Sequence, residues 1–247
     1  MSSPDVSVVV PCYNEAENIP LVYAAVEKAL GSTGYAFECI FVNDGSIDGT
    51  RDVLEKMTAN YPETIRPIHL ARNMGQSAAM LAGFSAARGT YVLTIDGDLQ
   101  NDPADFPRFL ELLREYDCVC GYRENRQDSL VRKISSRVAN IVRNGMLHDG
   151  IRDSGCGIKG YRRECLPHIP PFNGVHRFIA VFIRRAGFRL VECPVRHHPR
   201  RHGVSKYGIG NRLWRGIFDL VGVAWLRKRF IVPEVEPARY ASSDQCR

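Results

Sequence analysis

The chain has 247 residues, 45% hydrophobic and 24% charged, which excludes a disordered or low-complexity protein and suits one large α/β domain or a domain with an appendage. Its formal net charge is +6 and the excess lies after Arg114, so the second half points to an anionic partner: nucleic acid, phosphate groups or an anionic membrane face. The eight cysteines include no Cys-x-x-Cys pair and several sit inside apolar runs, which argues for buried free thiols in a reducing compartment rather than a disulfide frame or a zinc site.

Val6 to Val10 reads as a buried strand stopped by Pro11, followed by the polar loop Cys12-Tyr13-Asn14-Glu15. Ile19, Val22, Val26 and Leu30 recur at helical spacing up to Gly31. Ala36 to Val42 is a second strand, ending in Asn43-Asp44-Gly45-Ser46, and a helix carrying Val53, Leu54 and Met57 follows. Asp44-Gly45-Ser46 reads either as part of a ligand edge or as a cap on that helix. Ile65 to Leu70 is a third strand, and Gly75 to Ala87 a small-residue helix ended by Gly89.

The fourth strand, Tyr91 to Ile95, runs into Asp96-Gly97-Asp98-Leu99-Gln100. Side chains alternate on an extended segment, so Asp96 and Asp98 are expected to point the same way off the strand end. Two carboxylates aimed at one spot repel unless a cation lies between them. A divalent ion shared with a diphosphate resolves this, because Mg²⁺ and Mn²⁺ take hard oxygen ligands. A helix from Phe106 to Glu115 and a fifth strand from Asp117 to Gly121 complete an alternation that predicts an α/β fold, a Rossmann-like, doubly wound, mostly parallel sheet. The polar endings at Tyr13, Asp44 and Asp96 then share one sheet edge, where a nucleotide is expected to lie.

Gly155-Cys156-Gly157-Ile158-Lys159-Gly160 matches G-x-G-x-x-G but lacks the preceding strand and the later acid of a dinucleotide fingerprint, so it reads as a turn followed by a short strand. The second half is basic. Arg123, Arg126, Arg132, Lys133, Arg137 and Arg143 run from a loop into a helix expected to begin near Ser129. Arg196 to Lys206 holds four Arg or Lys residues and three His in eleven positions. Neighbouring arginines oppose a cation there, so phosphate suits it better than a metal at His197, His198 and His202. Arg212 to Val232 mixes Trp214, Phe218, Trp225 and Phe230 with basic residues, and reads either as an interfacial helix on a membrane or as a C-terminal helix packed on the sheet. No apolar run reaches the roughly 20 residues of a spanning helix, and no leader segment is evident, so the chain is not expected to cross a membrane by itself.

Taken together, Val8-Val9-Val10-Pro11-Cys12-Tyr13-Asn14-Glu15, Asn43-Asp44-Gly45-Ser46, Arg72-Asn73-Met74-Gly75-Gln76 and Asp96-Gly97-Asp98-Leu99-Gln100-Asn101-Asp102-Pro103 resemble glycosyltransferase family 2. Arg123 to Ser129, Asp153-Ser154-Gly155-Cys156-Gly157 and His202-Gly203-Val204-Ser205-Lys206-Tyr207 resemble its polyprenyl-phosphate branch. The resemblance implies a GT-A catalytic domain over residues 1–208, an amphipathic, membrane-interfacial helix over 209–232 and a flexible tail over 233–247. It implies inverting sugar transfer from a UDP- or GDP-sugar to a polyprenyl phosphate, with Mg²⁺ or Mn²⁺.

By the same resemblance, Pro11, Tyr13, Asn14, Glu15, Asp44, Gln76 and Asp96 would hold the nucleotide, and Asp96, Asp98 and Gln100 the metal. Arg123, Arg126, Arg137, Arg201, Ser205 and Lys206 would surround the acceptor phosphate. Asp96, Asp98, Arg123 and Arg137 would carry catalysis. Many bacterial relatives continue into two C-terminal transmembrane helices that are missing here. The expectation is therefore a cytoplasmic protein held peripherally at the membrane, or one anchored by an integral-membrane partner. A hydroxyl acceptor would call for an acidic base late in the domain, where this chain is basic. A non-catalytic binding subunit would lack the metal acids. A nucleic-acid partner is not expected, because the basic half lacks interleaved aromatics.

Overall fold

The computed structural model describes residues 3–124, 141–198 and 210–231, with side chains in the last segment from residue 216 onward. The expected helix start near Ser129, and the residues Arg126, Arg137, Arg201, Ser205 and Lys206, lie outside the described residues.

The first half is an alternation of strands and helices: β1 (Val6–Cys12), α1 (Ile19–Leu30), β2 (Phe37–Asn43), α2 (Thr50–Asn60), β3 (Ile65–His69), α3 (Gln76–Ala86), β4 (Tyr91–Thr94) and α4 (Phe106–Leu112). The second half contributes β5 (Cys118–Arg123), a helical stretch α5 at 141–147, β6 (Lys159–Arg162), α6 (Ile179–Arg185), β7 (Leu190–Val195) and α7 (Gly210–Arg229). The strands form one sheet in the order β3-β2-β1-β4-β6-β5-β7. β3, β2, β1 and β4 run parallel, and β6 is antiparallel to both β4 and β5.

Alternate side chains of the central strands feed two cores. Val8, Val10, Cys39 and Phe41 pack with Ile19, Val22, Leu54, Phe106 and Phe109 beneath α1, α2 and α4. Val9, Ile40, Val42 and Val92 pack with Ala79, Met80, Ile179, Phe182 and Val223 beneath α3, α6 and α7. Burial on both faces explains the unbroken apolar runs, and each fully buried Val, Ile or Phe contributes about 1.5–3 kcal/mol. α3 must be a small-residue helix: a Cβ on Gly83 would lie 2.3 Å from Val9 Cγ1.

Two strand ends differ from the sequence reading. β1 does not stop at Pro11 but continues through it to Cys12, in register with Val42 and Asn43 of β2. β4 pairs with β1 only as far as Val9–Thr94, so the missing N–H of Pro11 breaks no ladder on that side. β4 itself ends at Thr94, and the chain turns at Gly97-Asp98, with Leu99 at φ 58°. Alternation along an extended strand therefore does not orient Asp96 and Asp98.

Candidate active site

The C-terminal ends of β1, β2 and β4 bring three loops together, as the shared-edge argument requires. Loops 12–18 and 43–50 are stitched by backbone-to-side-chain bonds. Asn14 N–H donates to Ser46 Oγ (2.9 Å), Ile47 N–H to Asn14 Oδ1 (2.9 Å) and Glu15 N–H to Thr50 Oγ1 (2.9 Å). Asn14 sits at φ 53°, in the left-handed region that Asn tolerates better than most residues. Gly97 brings the β4 loop against the first: a Cβ there would lie 3.3 Å from Pro11 O and 3.8 Å from Glu15 Cγ.

Asp44 is buried, and it does not cap α2, whose N-cap residue is Gly49. Its carboxylate instead accepts from Met74 N–H (2.7 Å) and Gly75 N–H (2.8 Å). That contact fixes the segment leading into α3, and Gly45 is needed beneath it, since a Cβ would fall 2.3 Å from the Arg72 carbonyl carbon.

α3 then presents its first residue, Gln76, whose Nε2 donates to Asp96 Oδ1 at 2.8 Å. The other side of Asp96 meets Gly157, where a Cβ would lie 2.1 Å from Oδ2. Thr94 Oγ1 donates to Gly157 O (2.9 Å), holding the 153–157 loop over the end of β4. Asp98 is buried and accepts from Gln100 N–H (3.2 Å), while Gln100 O accepts from His198 N–H (2.8 Å). Asp96 and Asp98 are hard oxygen donors, and Gly157 leaves the Asp96 carboxylate uncrowded. This donor set fits a Mg²⁺ or Mn²⁺ ion that takes its remaining ligands from phosphate and water. Among the described residues no group of three or more His, Cys, Asp or Glu side chains forms an all-protein metal cage.

Of the basic residues named from sequence, Arg123 reaches this edge at the end of β5. It is clamped by Asp153: Nε–Oδ2 2.7 Å and Nη2–Oδ1 2.9 Å. Burial opposes the charge, but the Asp153 carboxylate outweighs it, and Asp96 adds to the effect, so the guanidinium is held above its usual pKa. Arg196 N–H donates to Asp105 (2.9 Å), and His198 Nε2 lies 3.2 Å from Asp102 Oδ2, so these two residues dock the strand after β7 onto the acidic loop.

Sequence reasoning missed a buried polar layer behind Asp96. Ser77 Oγ lies 2.7 Å from His176 Nδ1 and accepts from Gly174 N–H (2.8 Å). Lys159, opposite Thr94 in β6, is buried and donates to His176 O (3.1 Å) and Ser154 O (3.4 Å). Burial, then Lys159 and Arg177, hold the His176 pKa down to about 3, so the imidazole is neutral. Only the motif Asp153 to Gly157 signalled this region in the sequence. Cys156, inside that motif, is pushed up to about 12 by burial and offers no thiolate.

The described cysteines are all buried and free. α7 has one packed face and one exposed face. Leu220, Val223, Ala224 and Leu226 pack on the core, and Arg177 Nη2 binds Asp219 Oδ2 at 2.6 Å. Ile217, Phe218, Val221 and Trp225 are exposed on the other face. No helix among the described residues is long and apolar enough to cross a membrane.

A sequence profile described as glycosyl transferase family 2 matches residues 7–169. The chain is 39% identical over 233 residues to the dodecaprenyl-phosphate galacturonate synthase of Rhizobium johnstonii, covering 92% of this chain and 69% of that one. It is 37% identical over 217 residues to the undecaprenyl-phosphate 4-deoxy-4-formamido-L-arabinose transferase of Salmonella paratyphi B, covering 87% of this chain and 66% of the relative. Among solved structures it resembles glucosyl-3-phosphoglycerate synthase of Mycobacterium tuberculosis with Mn²⁺, UDP and phosphoglyceric acid. The TM-score is 0.66 at 19% identity, over 94% of this chain and 80% of that one. It also resembles a mannosyltransferase of Pyrobaculum calidifontis with GDP-mannose and Mn²⁺, at TM-score 0.61 and 17% identity, over 95% and 67%. These structural likenesses establish the GT-A fold. The extent of the profile match and the identity to both relatives show that the chain belongs to glycosyltransferase family 2.

Proposed function

We propose that this chain transfers a sugar from a UDP- or GDP-sugar to a polyprenyl phosphate, with inversion at the anomeric carbon. One observation carries the reading: a carboxylate edge at Asp96 and Asp98 meets a half-buried arginine, Arg123, where the two relatives that share most of the chain are named for polyprenyl-phosphate sugar chemistry. Tyr13, Asn14, Glu15, Asp44 and Gln76 would line the nucleotide, and Asp96, Asp98 and Gln100 would hold Mg²⁺ or Mn²⁺. The ion supplies charge neutralisation of the departing nucleoside diphosphate.

A phosphate monoester carries about 1.5 to 2 negative charges near pH 7, so it attacks without losing a proton and no general base is assigned. One phosphate oxygen forms the bond to the anomeric carbon as the nucleoside diphosphate takes the electrons of the breaking C–O bond. Arg123, with Arg126, Arg137, Arg201, Ser205 and Lys206, would steer that dianion into line. Asp153 holds the Arg123 fork in one orientation, which supports a positioning role for the pair.

In this reading residues 1–208 are the catalytic unit and 209–232 an interfacial helix. The exposed face at Ile217, Phe218, Val221 and Trp225 lies on the cytoplasmic side of a membrane, with or without an integral-membrane partner. The test is incubation with a panel of nucleotide sugars and undecaprenyl phosphate, with Mn²⁺ or with chelator. Metal-dependent label in the organic phase from one donor supports the reading. Label only on a soluble acceptor refutes it.

A further inference from the structure

Away from the carboxylate edge, the last turns of α6 and α7 and the end of α5 line an open cavity of about 500 Å³. Arg184, Arg185, Arg227 and Lys228 line it, with His148 and one acid, Asp149. Arg184 and Arg185 close α6 just before the chain enters β7, which runs parallel to β5. None of the residues that line the cavity is among those that form the Asp96 and Arg123 edge. Asp149 is buried and already engaged: Arg143 Nη1 lies 3.5 Å from Oδ2, and Ile151 N–H donates to Oδ1 at 3.3 Å. Among the described residues, Arg184, Arg185 and Lys228 make no ion pair with an acid. Arg227 donates one N–H to Leu147 O and keeps its other donors.

Helix ends explain part of this charge. Each C-terminus carries about half a negative charge, so two helices offset roughly one of the four cations. With Asp149 matched by Arg143, about three positive charges remain in surplus around one concavity. Such a cluster repels itself until an anion enters, and guanidinium forks suit phosphate oxygens better than a point cation does. Of the helices that line the cavity, α5 exposes Ile141, Val142 and Met146, and α7 exposes Val221 and Trp225.

We infer that this cavity is a second anion site, built for a phosphate-bearing group and separate from the catalytic edge. The inference stands on the cavity alone and holds whichever acceptor the enzyme uses. The same chemistry would take a phospholipid headgroup or a soluble phosphate or pyrophosphate, and the test separates them.

The full chain is compared with an Arg184→Gln/Arg185→Gln double variant. Neither side chain bonds to the core, so folding is preserved, and an unchanged melting temperature checks it. Binding is measured to phosphatidylcholine vesicles with and without phosphatidylglycerol, and to inorganic pyrophosphate by calorimetry without nucleotide sugar or metal. A drop of about 30-fold in binding to anionic vesicles for the double variant, the expected effect of two basic side chains at an anionic surface, supports a headgroup site. Stoichiometric pyrophosphate binding lost in the double variant, with no vesicle preference, supports a soluble-phosphate site. Equal vesicle binding and equal pyrophosphate binding by the two proteins overturns the inference and leaves the arginines as complements to helix ends. A Lys228→Gln variant gives an independent second reading of the same surface.

Discussion

Gly157 is the most exacting position in the site. Its place is occupied by a carboxylate: a Cβ there would lie 2.1 Å from Asp96 Oδ2, 2.4 Å from Cγ and 2.8 Å from Oδ1. Gly157→Ala is therefore absorbed only by moving the Asp96 carboxylate or the loop itself. Either Asp96 retreats by about 1 Å, which breaks its 2.8 Å bond from Gln76, or the 153–157 loop lifts and gives up the Thr94–Gly157 bond. A displacement of about 1 Å in a positioned group costs about 100-fold in rate, and overpacking a tight contact costs about 1–3 kcal/mol of stability. Gly155, two residues away in the same loop, is the internal control. Its Cβ would meet Arg123 Nη2 at 3.6 Å and Asp153 Oδ1 at 3.7 Å, ordinary contacts. The assay is initial transfer rate with each variant, alongside Mn²⁺ affinity by paramagnetic broadening. Gly157→Ala should lose about 100-fold in rate and weaken Mn²⁺ binding, while Gly155→Ala stays within a few-fold. Equal rates for the two variants would refute the placement of Asp96 against this loop.

Three further outcomes are expected. His176 has its pKa held down to about 3, against about 6.5 when unfolded, so between those values the unfolded chain binds the extra proton and stability falls as pH drops. Denaturant titration at pH 7.5 and pH 5 should show wild type losing about 1–2 kcal/mol more than His176→Gln, and parallel losses would contradict the buried neutral imidazole. Glu38 is buried at the opposite sheet edge, and Arg66, Arg88 and Ser7 hold its pKa down against the effect of burial. Arg66→Met/Arg88→Met strands that carboxylate and should cost about 3–5 kcal/mol by urea unfolding at pH 7, the deficit shrinking as the pH falls and Glu38 protonates; a variant as stable as wild type at pH 7 would contradict it. Phe218→Glu/Trp225→Glu alters side chains that are 74% and 62% exposed, so melting should hold while vesicle sedimentation falls at least about tenfold; unchanged sedimentation would argue against this helix face as the contact.

The carboxylate edge was legible because apolar runs such as Val6 to Val10 and Tyr91 to Thr94 end in polar residues, and parallel strands collect those ends on one side. The local direction of Asp96 was not, because it depends on Gly157 from a loop some sixty positions later. The short strand after Gly157 was expected, but not that β6 runs antiparallel between β4 and β5. Lys159-Gly160-Tyr161-Arg162 has too few apolar residues to declare its neighbours, and its buried lysine relies on carbonyls from two other segments. Asp44 shows the same limit. The cap reading took its partners from the next few residues, whereas they are the amides of residues 74 and 75. α7 left two readings open because its sequence carries two stripes: one packs on the α6 core, and the other, exposed here, names no partner by itself.

In the proposed reaction the attacking group is a lipid phosphate and not a hydroxyl. The most direct test gives the chain its productive nucleotide sugar, Mn²⁺, and either undecaprenyl phosphate or undecaprenol in the same detergent. Rapid labelling of the phosphate is expected, with nucleoside diphosphate released in equal amount, and none of the alcohol. Labelling of undecaprenol at a comparable rate would contradict a phosphate nucleophile, because an alcohol must lose its proton to a base and the phosphate reaction uses none.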